Sequence, residues 1–292
     1  MDGVLAPALS PNESLMTLHE LHRCYDCFDE FQADLPSLIQ LGSLLDECIT
    51  ITQALGILEP LTGEHVPPET MMMQGQNWRE SLIGNGLLSR NRAVLWLLER
   101  LYGSLETLRH KDVYLAEALS GFALWLRRQL GPNRLLCSEY LEDAQSAFSD
   151  ISHQDLSKLT LASSSLDLVL CNDLFEHLPL LDRAFVEIAR VLRPRGRLVA
   201  TCPMAFGRQI SIVKAVADPA TGETQMFGDA ELHGDPVRPE WGSLVYRIPG
   251  WEILDQLKEA GMAQAKIHHI SSWKYGVLGA DLPGILVIEA QK

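Results

Sequence analysis

Beyond residue 110, five polar residues close or follow apolar runs: Glu117, Glu139, Asp155 and the adjacent pair Asn172 and Asp173. A carboxylate accepts hydrogen bonds only, and it can take two hydroxyl or amino donors at once. Acids at such places can therefore hold a polyhydroxylated or cationic ligand. Two histidines join them. His177 stands in Phe175-Glu176-His177-Leu178 and His233 in Leu232-His233-Gly234-Asp235-Pro236. Imidazole titrates near neutrality, so each is a candidate to take a proton from a reacting group. The plainer alternatives are solvated strand-end acids and, for Glu176-His177, a structural turn.

The elements that must position these residues are legible as periodicity. Residues 113–117, 134–139, 166–172 and 197–202 read as short buried strands. Segments 122–130 and 181–192 read as helices, the second with Leu181, Ala184, Phe185, Ile188, Ala189 and Leu192 on one face and Pro194 and Gly196 ending it. Strands alternating with helices predict a doubly wound α/β domain with a mainly parallel sheet. Residues 250–260 resume as a helix, and 263–270 and 284–290 close a seven-stranded sheet with an antiparallel edge strand. Segment 206–249, rich in Gly and Pro, reads as an inserted loop or substrate lid. In such a sheet, ligands bind at the carboxyl ends of the strands near the reversal of strand order, where the five polar residues fall.

Residues 16–109 carry apolar side chains at helical spacing, as in Leu38, Leu41, Leu44, Leu45 and Cys48, interrupted at 59–69 by Pro60, Gly63, Pro67 and Pro68. The expected organisation is a helical cap or dimerisation region over 1–109 and an α/β domain over 110–292.

Three runs carry a family resemblance: His153-Gln154-Asp155-Leu156, Ser165-Leu166-Asp167-Leu168-Val169-Leu170-Cys171-Asn172-Asp173 and Phe175-Glu176-His177-Leu178. They resemble the adenine-binding and post-fourth-strand motifs of class I, Rossmann-like S-adenosylmethionine-dependent methyltransferases. The following Ile188-Ala189-Arg190-Val191-Leu192-Arg193-Pro194-Arg195-Gly196-Arg197-Leu198 is similar to that family's helix-turn-strand, with Pro194-Arg195-Gly196 where Pro-Gly-Gly is usual. The resemblance implies an enzyme with S-adenosylmethionine as cofactor. By it, Asp155 accepts from the adenine amino group, Gln154 and Leu156 line the ring, and Glu139 takes the ribose hydroxyls. Asn172 and Asp173 end the fourth strand beside the cofactor.

The family's first motif is a glycine-rich turn after the first strand, where absent side chains let the backbone approach the methionine part of the cofactor. This chain has Glu117-Ala118-Leu119-Ser120-Gly121, with a single glycine. The resemblance then gives Glu117 to the cofactor's amino group, and Ser120 and Gly121 to the turn. Two function classes follow: methyl transfer to a small-molecule acceptor, or a non-catalytic relative kept for binding or dimerisation. A nicotinamide oxidoreductase is disfavoured, because no Gly-x-Gly-x-x-Gly follows a candidate first strand.

Other features weigh less. His19, His22, Cys24 and Cys27 have metal-like spacing, but donors so close in an expected helix do not converge tetrahedrally, and no metal is assigned. Arg90-Asn91-Arg92 has the charge to bind an anion, although such clusters more often cap a helix. Trp241, Tyr246, Trp251, Trp273 and Tyr275 suit pocket walls, about half of them being expected core. A formal net charge of -14 repels nucleic acid at long range, and the basic runs at 127–128 and 193–197 are too short to reverse that. Residues 1–12 show no signal-peptide pattern and no run spans a bilayer, so neither membrane nor secretion is expected. Cys137, Cys171 and Cys202, in or beside buried strands, read as reduced thiols of a cytoplasmic protein.

Overall fold

The computed structural model describes residues 11–144, 147–218, 221–280 and 282–292. Near-continuous apolar runs such as Leu166–Asn172 form strands covered on both faces, as parallel strands require. The main sheet has eight strands: β1 (Leu21–Tyr25), β2 (Val113–Leu115), β3 (Leu135–Glu139), β4 (Ser152–His153), β5 (Leu166–Asn172), β6 (Leu192–Thr201), β7 (Gln264–Ser271) and β8 (Ile285–Gln291). Their spatial order is β1-β7-β8-β6-β5-β2-β3-β4. The run from β4 to β6 is parallel throughout, and β8 is antiparallel to both β6 and β7. Seven of these strands, β2 to β8, make the expected mainly parallel sheet, β1 adds an eighth at its edge, and the strand order reverses between β2 and β5.

One element departs from expectation. Residues 16–109 are helical at Phe28–Gly42, Leu45–Leu55 and Ser89–Tyr102, but Leu21–Tyr25 forms β1, pairing antiparallel with β7 from Leu21 opposite Ser271 to Tyr25 opposite Ile267. Leu21 and Tyr25 are buried while His22 and Cys24 are exposed. A ladder of backbone partners on β7 outweighs the weak local preference of so short a segment.

Alternation along β5 divides the core. Leu168 and Leu170 pack with helices Ser89–Tyr102 and Gly121–Leu130; Val169 and Cys171 pack on the other face with helices Phe28–Gly42, Leu181–Val191 and Ile253–Glu259. The N-terminal region therefore covers the sheet as well as extending it. Arg92 anchors that attachment. It is fully buried, and its guanidinium donates to the carbonyls of Tyr275 at 2.7 Å, Leu87 at 2.8 Å and Gly276 at 2.8 Å.

Segment 206–249 is built from three short antiparallel pairs: Ile212–Val213 with Arg247–Ile248, Ala215–Ala217 with Thr224–Met226, and Leu232–His233 with Ser243–Leu244. The amide of Tyr246 donates to the carbonyl of Glu176 at 2.7 Å, fastening this segment beside the end of β5. Among the described residues no helix is long and apolar enough to cross a membrane.

Candidate active site

The carboxyl ends of β2, β3 and β5 open into a cavity of about 1240 Å³. Its lining includes Glu117, Glu139, Asp155, Asp173, His177 and His233, so the fold brings both histidines and these four acids to one space. Gln154, Leu156, Asn172 and Ser120 also line it, whereas Gly121 does not.

The first turn is held from within. Glu139 Oε1 accepts the amides of Ala118 at 2.7 Å and Leu119 at 3.0 Å, so the carboxylate at the end of β3 shapes the turn after β2. Burial pushes the Glu139 carboxyl above its ordinary range, against those two hydrogen bonds. Ser120 caps helix Gly121–Leu130, its Oγ accepting from the amide of Ala123 at 3.0 Å. Gly121 is needed for a different contact from the one the family pattern implies: a Cβ there would overlap the carbonyl oxygen of Gly86. The missing side chain makes room for the N-terminal loop.

Glu117 Oε1 accepts from Asn172 Nδ2 at 2.7 Å, joining the ends of the two strands that flank the reversal. Burial raises its carboxyl above the ordinary value, opposed by Asn172, Ser120 and the charge of Arg90. Asp173 adopts a positive φ of 50°, sparsely populated for a non-glycine residue and typical of functional turns. Arg79 grips it with both guanidinium nitrogens, and Arg90 Nε lies 3.0 Å from Asp173 Oδ2. Burial alone would raise the Asp173 carboxyl; Arg79 and Arg90 override it and hold the group well below the ordinary carboxylate range. Glu80 pairs with both arginines.

At the β3–β4 end, Asp155 Oδ1 accepts from the amide of Ser157 at 2.8 Å and from its hydroxyl at 2.7 Å, leaving Oδ2 unused by that turn. Gln154 spends its side chain on Thr160, whose amide it accepts at 2.9 Å. Tyr140 lines the same end, and Arg238 from segment 206–249 lies over its ring, 5.9 Å from the centroid.

At the opposite end, His177 Nδ1 is 2.8 Å from the carbonyl of Leu244. A carbonyl can only accept, so Nδ1 carries the hydrogen and Nε2 is the nitrogen able to take a proton. The His177 and His233 rings meet edge to face with centroids 5.0 Å apart.

Sequence reasoning missed Arg79 and Glu80, which lie in a loop without periodic signal, and it favoured a capping role for Arg90. Of the five aromatic residues proposed for pocket walls, only Tyr246 lines the cavity. Trp251 is core against Phe31, Trp273 packs on His19, and Trp241 is exposed. His19, His22, Cys24 and Cys27 form no cluster: His22 Nε2 bonds His268 Nδ1 at 2.9 Å, and both cysteines are exposed and free.

Residues 129–200 match the family described as a methyltransferase domain. The matched segment runs from the end of helix Gly121–Leu130 through most of β6, so the chain carries a methyltransferase domain. It is a methyl-transferring enzyme whose cofactor is S-adenosylmethionine. No curated protein matches the chain. Among solved structures, an S-adenosylmethionine-dependent methyltransferase from Mesorhizobium loti is 18% identical with a TM-score of 0.42, the match covering 68% of this chain and 98% of that one. Burkholderia thailandensis 1,6-didemethyltoxoflavin-N1-methyltransferase, with bound 1,6-didemethyltoxoflavin and S-adenosylhomocysteine, is 15% identical with a TM-score of 0.41, covering 99% and 93%.

Proposed function

We propose that this enzyme methylates a small-molecule acceptor held between the ends of β2 and β5 and the 206–249 segment. The observation that carries the reading is the continuity of the cavity from Glu139 and Asp155 to His177 and His233. Its volume exceeds the roughly 300–1,000 Å³ of common single-ligand pockets, which suits two ligands side by side.

The residues fit the cofactor. Asp155, with Oδ2 outside its own turn, accepts from the adenine amino group, and Leu156 supplies apolar ring contact. Glu139 presents its remaining oxygen to the ribose hydroxyls. Glu117, oriented by Asn172, supplies the carboxylate for the ammonium of the methionine part, beside Asp173 in its arginine pair. Arg90 is half-buried, and its buried Nη1 has no hydrogen-bond partner among the described residues, the mark of a guanidinium N–H meant for a ligand carboxylate. Arg90 in this way does what a glycine-rich turn does elsewhere, and Ser120 and Gly121 act by holding the turn in shape. When bound, S-adenosylmethionine supplies an activated methyl on a sulfonium.

The protein's own work is positioning and exclusion of water. Segment 206–249 roofs the cavity, with Arg238 reaching the Tyr140 end and His233 the His177 end. His177 and His233 mark the acceptor end, where a departing acceptor proton is received. The small acceptor is favoured over nucleic acid by the formal net charge of -14. Calorimetric titration with S-adenosylhomocysteine tests the reading. Binding that Asp155→Ala and Glu139→Ala each weaken tenfold or more is expected; no heat from the folded protein at millimolar ligand would refute it.

A further inference from the structure

Glu176 lies in the turn Phe175–His177 directly after β5, and its side chain is 0% exposed. Neither carboxylate oxygen has a hydrogen-bond donor among the described residues. A buried carboxylate without donors is strongly disfavoured unless a cation faces it. Two imidazole nitrogens do approach: Glu176 Oε1 is 3.7 Å from His177 Nε2 and 3.7 Å from His233 Nδ1. These distances are too long for hydrogen bonds. One ligand atom from each of the three residues lies within 4.8 Å of the others, the only such three-donor group among the described residues.

The outer nitrogens complete the pattern. His177 uses Nδ1–H on the carbonyl of Leu244 at 2.8 Å, which leaves the Nε2 lone pair directed to the Glu176 side. His233 Nε2 lies 3.4 Å from Glu231 Oε1, and Glu231 is held in turn by Lys214 at 2.7 Å. Metal-binding histidines characteristically give their second nitrogen to a carbonyl or a carboxylate, which fixes tautomer and ring orientation. Here one histidine does each. Leu244 belongs to the strand paired with Leu232–His233, so a single hairpin both carries His233 and orients His177.

We propose that Glu176, His177 and His233 are the protein ligands of a divalent transition-metal ion, open towards the cavity that both histidines line. Donors around one such ion stand roughly 3.0–3.5 Å apart when each bond is about 2.1 Å, so the two carboxylate–imidazole distances of 3.7 Å close by a few tenths of an ångström on binding, and the two imidazoles, now within 4.8 Å, draw together around the ion. Two imidazoles with one carboxylate favour zinc, iron or manganese-group ions over magnesium and calcium, which take oxygen donors. The open positions face the acceptor end, and the ion coordinates an acceptor oxygen there; with the ion bound both imidazoles serve as ligands, and the acceptor proton leaves to water instead of to a histidine. That last role rests on the methyltransferase reading; the metal site itself does not.

Metal-free full-length protein titrated with Co²⁺ tests the site by visible absorption, independently of activity. One Co²⁺ per chain is expected, displaced by Zn²⁺ and retained in millimolar Mg²⁺. Glu176→Gln, His177→Ala and His233→Ala should each weaken binding at least tenfold, and His233, on the 206–249 hairpin, is the variant least able to disturb the core. Cys24→Ser/Cys27→Ser, which removes the exposed thiols, should leave the spectrum unchanged. Absence of stoichiometric binding, binding indifferent to His233→Ala, displacement by Mg²⁺, or loss of the signal with the cysteines would each overturn the proposal. S-adenosylhomocysteine calorimetry on the same metal-free samples separates the two claims. Heat without Co²⁺ binding sinks the metal site alone, while Co²⁺ binding without heat sinks the methyltransferase reading and leaves the site standing.

Discussion

The backbone of Gly121 packs so closely on the carbonyl of Gly86 that no β-carbon fits between them. Gly86 itself has a φ of +80°, so both partners are constrained. Gly121→Ala should cost about 1–3 kcal/mol through overpacking of a site that neither backbone can vacate cheaply. Urea denaturation reads the loss. S-adenosylhomocysteine affinity should fall as well, because the displaced turn carries the amides held by Glu139.

Asp173 neutralises two arginines that are themselves mostly shielded from water. Asp173→Asn leaves Arg79 and Arg90 with Glu80 as their remaining acidic partner, and breaking such a pair from one side costs about 3 kcal/mol. A matched loss of cofactor affinity, tenfold or more by calorimetry, is expected. A variant that unfolds at the wild-type urea midpoint would show the network to be dispensable.

Arg92 offers a test of how the N-terminal helix is fastened. Its planar fork donates to three carbonyls, of which Leu87 also accepts from the amide of Gly84, and lysine cannot reach all three. Arg92→Lys should therefore destabilise by about 2–4 kcal/mol, close to Arg92→Ala, since the Tyr275 and Gly276 carbonyls left without this donor dominate both. Thermal melts of the two variants side by side check this.

His269 gives the fold a pH dependence. It is fully buried on β7, and burial lowers its pKa from 6.5 to about 4, with Arg23, Asp34 and His22 as the charged or titratable groups acting on it. The unfolded chain then binds a proton that the folded chain refuses between those values. Stability is complete above pH 6.5 and drains away as the pH falls towards 4, by up to about 3 kcal/mol. His269→Gln should flatten that part of the stability-against-pH curve, whatever it does to stability at pH 7.

Much of this architecture was legible because burial on both faces of a parallel sheet leaves a strong apolar signature. Leu166–Asn172 is the strand the sequence predicted, residue for residue, and helix Leu181–Val191 ends within one residue of its expected stop. β1 was not legible: its Leu21 and Tyr25 are buried and its middle is polar, and five residues carry too little pattern to distinguish a strand from a helical turn. At the site, the strand-end acids and both histidines could be chosen from their positions. What they do to each other could not. Glu176 meets His233 only because the Leu232–His233 hairpin folds back over β5, and Arg79 reaches Asp173 from a loop, contacts that no local periodicity encodes.

An open sheet ends in two rows of unsatisfied backbone, each able to recruit a foreign strand. On one side this sheet stops at β4, only two residues long and a poor template. On the other it would stop at β7, eight residues long, were β1 not laid along it. The same short segment that extends the fold therefore acts as a guard against self-association. A chain cut between Tyr25 and Phe28 would expose β7 as an adhesive edge, and its first failing would be insolubility rather than inactivity.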